Sequence, residues 1–291
     1  MLLTIFTPTY NRAYSLRRLY LSLCNQTCNS FEWLVLDDGS TDGTRELVNQ
    51  FISEKKVRIR YIFQENSGKS TAHNIAVKVA KGGLFTCVDS DDYIENVAVE
   101  ELLSVWKTAQ KISIGILAKR RSLKGDAITK TNLSNGSCIK LKDAYHSNLL
   151  SGDTFLIFKT SIIKKYLFPK FKEEKFVPED YIYDQICEEG PLYFCDQFLY
   201  VCEYQKDGYT ANMNKVIARN PFGYRAYLEQ RMSTERKMVR KLMYFIRYES
   251  IAFVIKKDYF SPISFFLSIL SIIPGWVVYF LRFRNYVSKK K

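Results

Sequence analysis

The run Val88-Asp-Ser-Asp-Asp92 ends an apolar stretch with three carboxylates in four positions. Charges packed so closely repel one another, and no basic residue stands beside them in the sequence. A bound divalent cation would remove that cost. Mg2+ and Mn2+ take oxygen ligands and bind through one or two carboxylates completed by substrate phosphates. Asp89 and Asp91 are therefore candidate metal ligands, and Asp89 and Ser90 candidate contacts for a phosphorylated ligand. A polar turn capping the next helix would use the same residue types.

Three further polar clusters invite a nucleotide. In Leu36-Asp-Asp-Gly-Ser-Thr-Asp42, Asp37 and Asp38 can accept hydrogen bonds from a base N–H or from ribose hydroxyls, while Gly39 permits a sharp turn. In Thr7-Pro8-Thr-Tyr10-Asn11-Arg12, the Tyr10 ring can stack on a base, and Arg12 with nearby backbone N–H groups can face phosphates. Each segment reads equally well as an ordinary strand-turn-helix. The third cluster, Glu65 to Asn74, contains Gly68-Lys69-Ser-Thr and imitates a phosphate loop. That motif needs a glycine at position 63, where this chain has Phe, and the strand at 58–63 runs into the space the loop would occupy. The segment is read as a loop laying Gly68, Lys69 and Asn74 beside the ligand, with a P-loop-like nucleotide hydrolase as the alternative.

Glu179 and Asp180 precede a helical run at 181–189. A carboxylate there can serve as the base that deprotonates a hydroxyl, or simply as the acidic first turn of a helix. His73 and His146 have no ligand spacing, so no zinc site is expected, and His73 reads as a helix-face residue.

These clusters need elements to position them. Strand-like runs at 2–7, 32–37, 57–63 and 84–89 alternate with helical patterns at 15–23, 44–52 and 71–80. Such alternation implies a parallel sheet with ligands at the carboxyl ends of its strands, where all four polar clusters fall. From 112 to 205 short apolar strands (112–117, 155–158, 198–202) mix with longer loops. The predicted fold class is α/β. Seven cysteines without a CxxC pair read as free thiols in a reducing compartment. The opening six residues read as a first strand, and the catalytic part is expected in the cytosol.

Taken together, the motifs 7–12, 36–42, Asn66-Ser-Gly68 with Asn74, and 88–92 resemble glycosyltransferase family 2 over roughly residues 1–110. The resemblance implies the GT-A fold, a mixed Rossmann-like sheet flanked by helices. It implies an inverting transferase with a nucleotide-sugar donor, Mn2+ or Mg2+ as cofactor, and one sugar added per encounter, since the processive QxxRW signature is absent. Asp38 would contact uracil, Asp89 the ribose or metal, Asp91 the metal, and Asp180 or Glu179 would be the base. The segment 204–210 resembles an aromatic-and-glycine stretch that closes such domains. On this reading 1–214 is catalytic, with a donor half at 1–110 and an acceptor half at 111–214.

Residues 215–291 differ sharply. They carry 16 Lys and Arg against four Asp and Glu, +12 of the chain's +13. Basic and apolar residues interleave through 215–257, and 261–281 is uncharged but contains Pro274-Gly275. A basic amphipathic helix reads as a membrane-surface element. The uncharged segment favours an anionic membrane over nucleic acid, as an anchor that spans, re-enters or lies in plane. A buried core helix is the alternative. Flanking Lys and Arg would hold this region to the cytoplasmic side. The acceptor implied is a glycolipid or lipid-linked oligosaccharide of a bacterial surface polysaccharide. A non-catalytic membrane adaptor is the remaining reading.

Overall fold

Strands β1 (Leu3–Thr9) and β2 (Phe31–Asp37) are buried on both faces, as expected of central parallel strands covered by helices. In this computed structural model, which describes residues 2–203, 211–257 and 259–287, they alternate with α1 (Ala13–Cys24) and α2 (Thr44–Glu54). The pattern continues through β3 (Ile59–Phe63), α3 (Lys69–Val79) and β4 (Leu84–Cys87). Each predicted strand and helix of this half is present within a few residues. The segment 204–210 lies outside the described residues.

The second half turns the sheet mixed. It adds β5 (Tyr93–Ile94), α4 (Ala98–Ala109), β6 (Gly115–Ser122), β7 (Lys130–Thr131), β8 (Cys138–Ile139), α5 (Leu141–His146) and β9 (Leu150–Ser151). Then come β10 (Thr154–Lys159), α6 (Thr160–Ile163), α7 (Asp180–Ile186) and β11 (Leu192–Cys202). The main sheet runs β3-β2-β1-β4-β10-β6-β11-β5, with β8 beside β11 and a separate β7-β9 pair. Strand β10 is antiparallel to β4, whereas β1 is parallel to β2 and β4. The register Thr9↔Asp37↔Phe63 aligns three strand ends, and β4 ends beside β1 at Phe6↔Cys87. One sheet edge therefore gathers the polar clusters. The core beneath it is built on Trp33, Tyr20 and Phe51, whose rings stack.

The chain divides into two units, Met1–Leu167 with Ile182–Glu203, and Phe168–Tyr181 with Tyr204–Lys291. The second thus takes in Phe168–Tyr181 and residues 211–214 besides the basic tail. Its helices are α8 (Met213–Arg219), α9 (Pro221–Thr234), α10 (Met238–Ile255) and α11 (Phe265–Arg282). Phe168–Tyr181 joins it for a local reason. The Glu174 carboxylate accepts from Phe222 N (2.9 Å) and Gly223 N (2.7 Å) and so covers the positive end of α9. Met232, Leu228, Phe245, Tyr248 and Ile251 form the core of this unit.

Helix α11 differs from expectation in two ways. It runs unbroken through Pro274, where the sequence suggested an interruption. It is also no core helix, since only 17% of it is buried. Its packed positions are Ser268, Ser271 and Gly275. A Cβ on Gly275 would stand 2.8 Å from Glu249 Cβ and 3.0 Å from the Ile246 carbonyl oxygen, so α10 and α11 touch almost backbone to backbone there.

Candidate active site

The loops after β1 and β2 clasp each other. Asn11, in the left-handed conformation that Asn tolerates (φ 52°), donates its N–H to Ser40 Oγ at 2.9 Å and accepts from Thr41 N at 2.8 Å. Asp42 accepts from Ala13 N. Tyr10 is left 48% exposed at the rim, free to stack on a planar ligand. Thr7 is fully buried, where its hydroxyl accepts from Trp33 Nε1, and Pro8 is half-buried beside it in β1.

The two carboxylates after β2 are both engaged. Asp37 accepts from Ser40 N (2.8 Å) and from the Tyr61 hydroxyl (2.7 Å). Asp38 accepts from Gln64 Nε2, Ser67 N (2.7 Å) and Gly68 N (2.8 Å). A carboxylate offers about four lone-pair sites, so Asp38 retains room for one more donor. Gly39 sits at φ +84°, where an added Cβ would meet Asn66 N at 2.8 Å, which explains glycine at this position. The same bonds weigh against the phosphate-loop reading. The backbone N–H groups of Ser67 and Gly68 that would cradle a phosphate already point at Asp38.

Gly68 (φ +90°) then opens α3 and turns Lys69 toward the acidic run. Lys69 Nζ lies 2.7 Å from Asp89 Oδ1. The local sequence offered no neutralising charge, but the fold supplies one from twenty positions upstream. Burial alone would raise the Asp89 carboxyl. Lys69, with Arg120 and Arg12 beyond it, reverses this and holds it below the usual carboxylate range. Asp91 goes the other way, raised by burial and by the charge of Asp89. Asp92 is pushed up to about 7 by burial and by Asp89. It accepts from the Tyr200 hydroxyl (2.7 Å), and that hydroxyl accepts from Asp89 N (3.1 Å). Arg18 donates to the Asp91 carbonyl and pairs with Glu203 at 2.9 Å. Ser90 is buried within this loop, and Asn74 is buried on α3. His73 is a core residue, set edge-on against Phe6 and Phe85, and burial lowers it to about 3, so its ring stays neutral.

Arg120 on β6, its guanidinium 4.1 Å from the Tyr200 ring on β11, was not foreseen. Both come from strands paired late in the chain, so no local motif marks them.

In the second unit Asp180 is the first residue of α7 and 56% exposed, while Glu179 beside it is exposed. Asp180 accepts from Arg231 Nη2 at 3.1 Å, and Arg231 is itself buried on α9 with its guanidinium over Tyr227. The dipeptide Gln230-Arg231, without the spacing of a processive signature, thus supplies the cation that fixes Asp180.

The profile described as Glycosyl transferase family 2 matches residues 4–170, more than half of the chain, including the carboxyl ends of β1, β2, β3 and β4. The chain belongs to this family. GlyA of Streptococcus pneumoniae is 43% identical over 100 residues, covering 34% of this chain but 14% of GlyA, so the chain spans a small part of that relative. The GalNAc(5)-diNAcBac-PP-undecaprenol beta-1,3-glucosyltransferase of Campylobacter jejuni is 26% identical over 226 residues, 76% of this chain and 71% of that protein. Among solved structures, S. aureus TarS (residues 1–349, with UDP-GlcNAc) superposes with a TM-score of 0.65 at 20% identity, covering 87% of this chain and 73% of TarS. The mannosyltransferase PcManGT of Pyrobaculum calidifontis, in complex with GDP-Man and Mn2+, superposes at 0.52 and 16% identity, covering 96% and 86%. The fold of this family 2 transferase is GT-A.

Proposed function

We propose that this transferase moves one sugar per encounter from a UDP-sugar to a hydroxyl of a lipid-linked oligosaccharide or glycolipid, with inversion, at the cytoplasmic side of a membrane. The observation that carries the reading is the sheet edge where Asp37, Asp38, Asp89 and Asp91 converge with Arg12, Lys69 and Arg120. Acid groups suited to a base and ribose stand beside cations suited to a diphosphate. Tyr10 stacks on the uracil and the free lone pair of Asp38 takes its N–H, with Thr7, Pro8 and Asn11 shaping that pocket. Asp89 and Ser90 face the ribose, and Gly68, Lys69 and Asn74 line the phosphates.

The donor set fits a divalent ion. Asp89 and Asp91 offer hard oxygens on one loop, and Asp91 is raised by burial and by the charge of Asp89, a cost that a bound cation would relieve. These two residues would hold Mn2+ or Mg2+, which when bound stabilises the negative charge of the departing nucleotide. The Mn2+ in the PcManGT complex supports this choice. Lys69, now on Asp89, is within reach of the same phosphates. Asp180, held by Arg231, removes the acceptor proton as the hydroxyl attacks the anomeric carbon from the face opposite the leaving group. A single in-line displacement needs no covalent glycosyl-enzyme, and the one base suffices.

The lipid-linked acceptor is supported by the Campylobacter relative, whose name gives an undecaprenol-bound substrate. Seven free cysteines agree with a reducing compartment. In this scheme 1–110 is the donor half, 111–214 the acceptor half and 215–291 the membrane element. Calorimetry separates the alternatives. Tight UDP binding that requires Mn2+ is expected; preference for ATP with Mg2+ would favour a nucleotide hydrolase, and no nucleotide binding would leave the adaptor.

A further inference from the structure

Which way α11 meets a membrane is decided by how its two halves are used. At about 100° per residue, its exposed positions up to Leu281 fall in a single half of the circumference. That half is apolar from end to end, with Phe266, Ile273 and Leu281 69%, 76% and 73% exposed and Trp276 midway at 49%. Its other half carries Ser268, Ser271 and Gly275 and packs on α10 against the fully buried Glu249 and Ser250. α10 turns its apolar residues Phe245, Tyr248 and Ile251 inward, as a helix made for water does; α11 turns its apolar half outward.

We infer that α11 lies in the plane of an anionic bilayer, its apolar half sunk into the headgroup–acyl boundary and α10 carried above it. This rests on the membrane reading proposed above and specifies its geometry. Three observations favour the plane over a crossing. First, α10 runs along α11 through its length-wise contact and bears Arg240, Lys241, Arg247 and Glu249, which a crossing would drag into hydrocarbon at high cost. Second, exposed basic residues stand at both ends of α11, Lys256 and Lys257 before it, Arg282 as its last residue and Arg284 after it. A crossing helix concentrates Lys and Arg on one side, whereas both ends of an in-plane helix meet the same anionic headgroups. Third, at 18 residues and about 27 Å the helix stands at the lower end of the lengths that cross a hydrocarbon core of about 30 Å, so an in-plane position uses its full apolar length with no mismatch.

Trp276 reports the depth directly. The chain's other two tryptophans, Trp33 and Trp106, are buried in the first unit and give a constant background removable with a Trp276→Phe blank. Full-length protein is mixed with phosphatidylglycerol-containing vesicles whose acyl chains carry bromine at shallow, middle or deep positions, and flotation is measured on the same samples. Expected are flotation and quenching of Trp276 strongest from the shallow bromines, corresponding to a depth of about 5–10 Å. Flotation with strongest quenching at the bilayer centre would overturn the in-plane geometry while leaving membrane attachment standing. No flotation would overturn both, and a dimer in sedimentation that Ile273→Glu dissolves would assign the apolar half to a second copy. Ile273→Glu, at a position already open to solvent, should otherwise abolish flotation and leave UDP binding unchanged.

Discussion

At the sheet edge of the first unit, carboxylates stand above an apolar core; Lys69, brought from a distant element, holds the Asp89 carboxylate, and Arg18 holds the Asp91 backbone carbonyl. Helix α11 reverses the arrangement, with Ser268 and Ser271 packed on the buried Glu249 of α10 and its own phenylalanine, isoleucine and leucine outside. The difference teaches that burial alone does not tell a functional charge from a structural one. Asp91 and Glu249 are both displaced upward by burial, but Asp91 faces a second carboxylate, whereas Glu249 accepts hydrogen bonds from its own hairpin. In the proposed function the first arrangement takes a cation; the second sits inside a helix pair.

The largest expected effects are chemical. Asp180→Asn keeps size and helix-start chemistry but cannot take a proton, so transfer should fall roughly 100-fold or more with donor affinity intact. Unchanged transfer would move the base to Glu179. Asp91→Asn should weaken Mn2+-dependent UDP binding on the order of 100-fold, a few kcal/mol, while circular dichroism stays native. Full activity in chelating buffer would remove the metal from the account.

Effects in the hairpin should appear in stability instead. Gly275→Val places methyl groups against the Ile246 carbonyl and Glu249, which should cost about 1–3 kcal/mol and lower the melting temperature without touching nucleotide affinity. A neutral outcome would show that the helices can separate freely. The smallest effect concerns pH. The Glu249 carboxyl is raised by burial, so its contribution to stability is complete below the unfolded carboxyl range and is lost as pH rises through the raised value. Glu249→Gln should therefore match wild type near pH 4 and melt a few degrees higher at pH 8. Equal melting at both pH values would mean the group is solvated.

The sequence was most readable where chemistry follows directly on a strand. Asp37 ends β2, and Asp38 and Asp89 follow within two residues of a strand end, so period and polarity mark both the element and the site. Lys69 was visible as a residue but not as the partner of Asp89, because the turn at Gly68 that aims it is a property of the folded loop. Arg120 and Tyr200 were invisible for a related reason: β6 and β11 are neighbours only through a mixed sheet whose strand order no local pattern encodes. The uncharged run 261–281 was plain, but which half of it packs depended on Glu249 and Ser250, which lie in another helix. Pro274 suggested a break that the helix absorbs on its exposed side.

The central claim, inverting transfer from a UDP-sugar, is tested most directly by the anomeric configuration of the product. An α-linked UDP-sugar supplied with Mn2+ and a lipid-linked acceptor should give a β-linked product by NMR, with UDP released in equal amount. An α-linked product, or phosphate released from ATP in place of sugar transfer, would contradict the account.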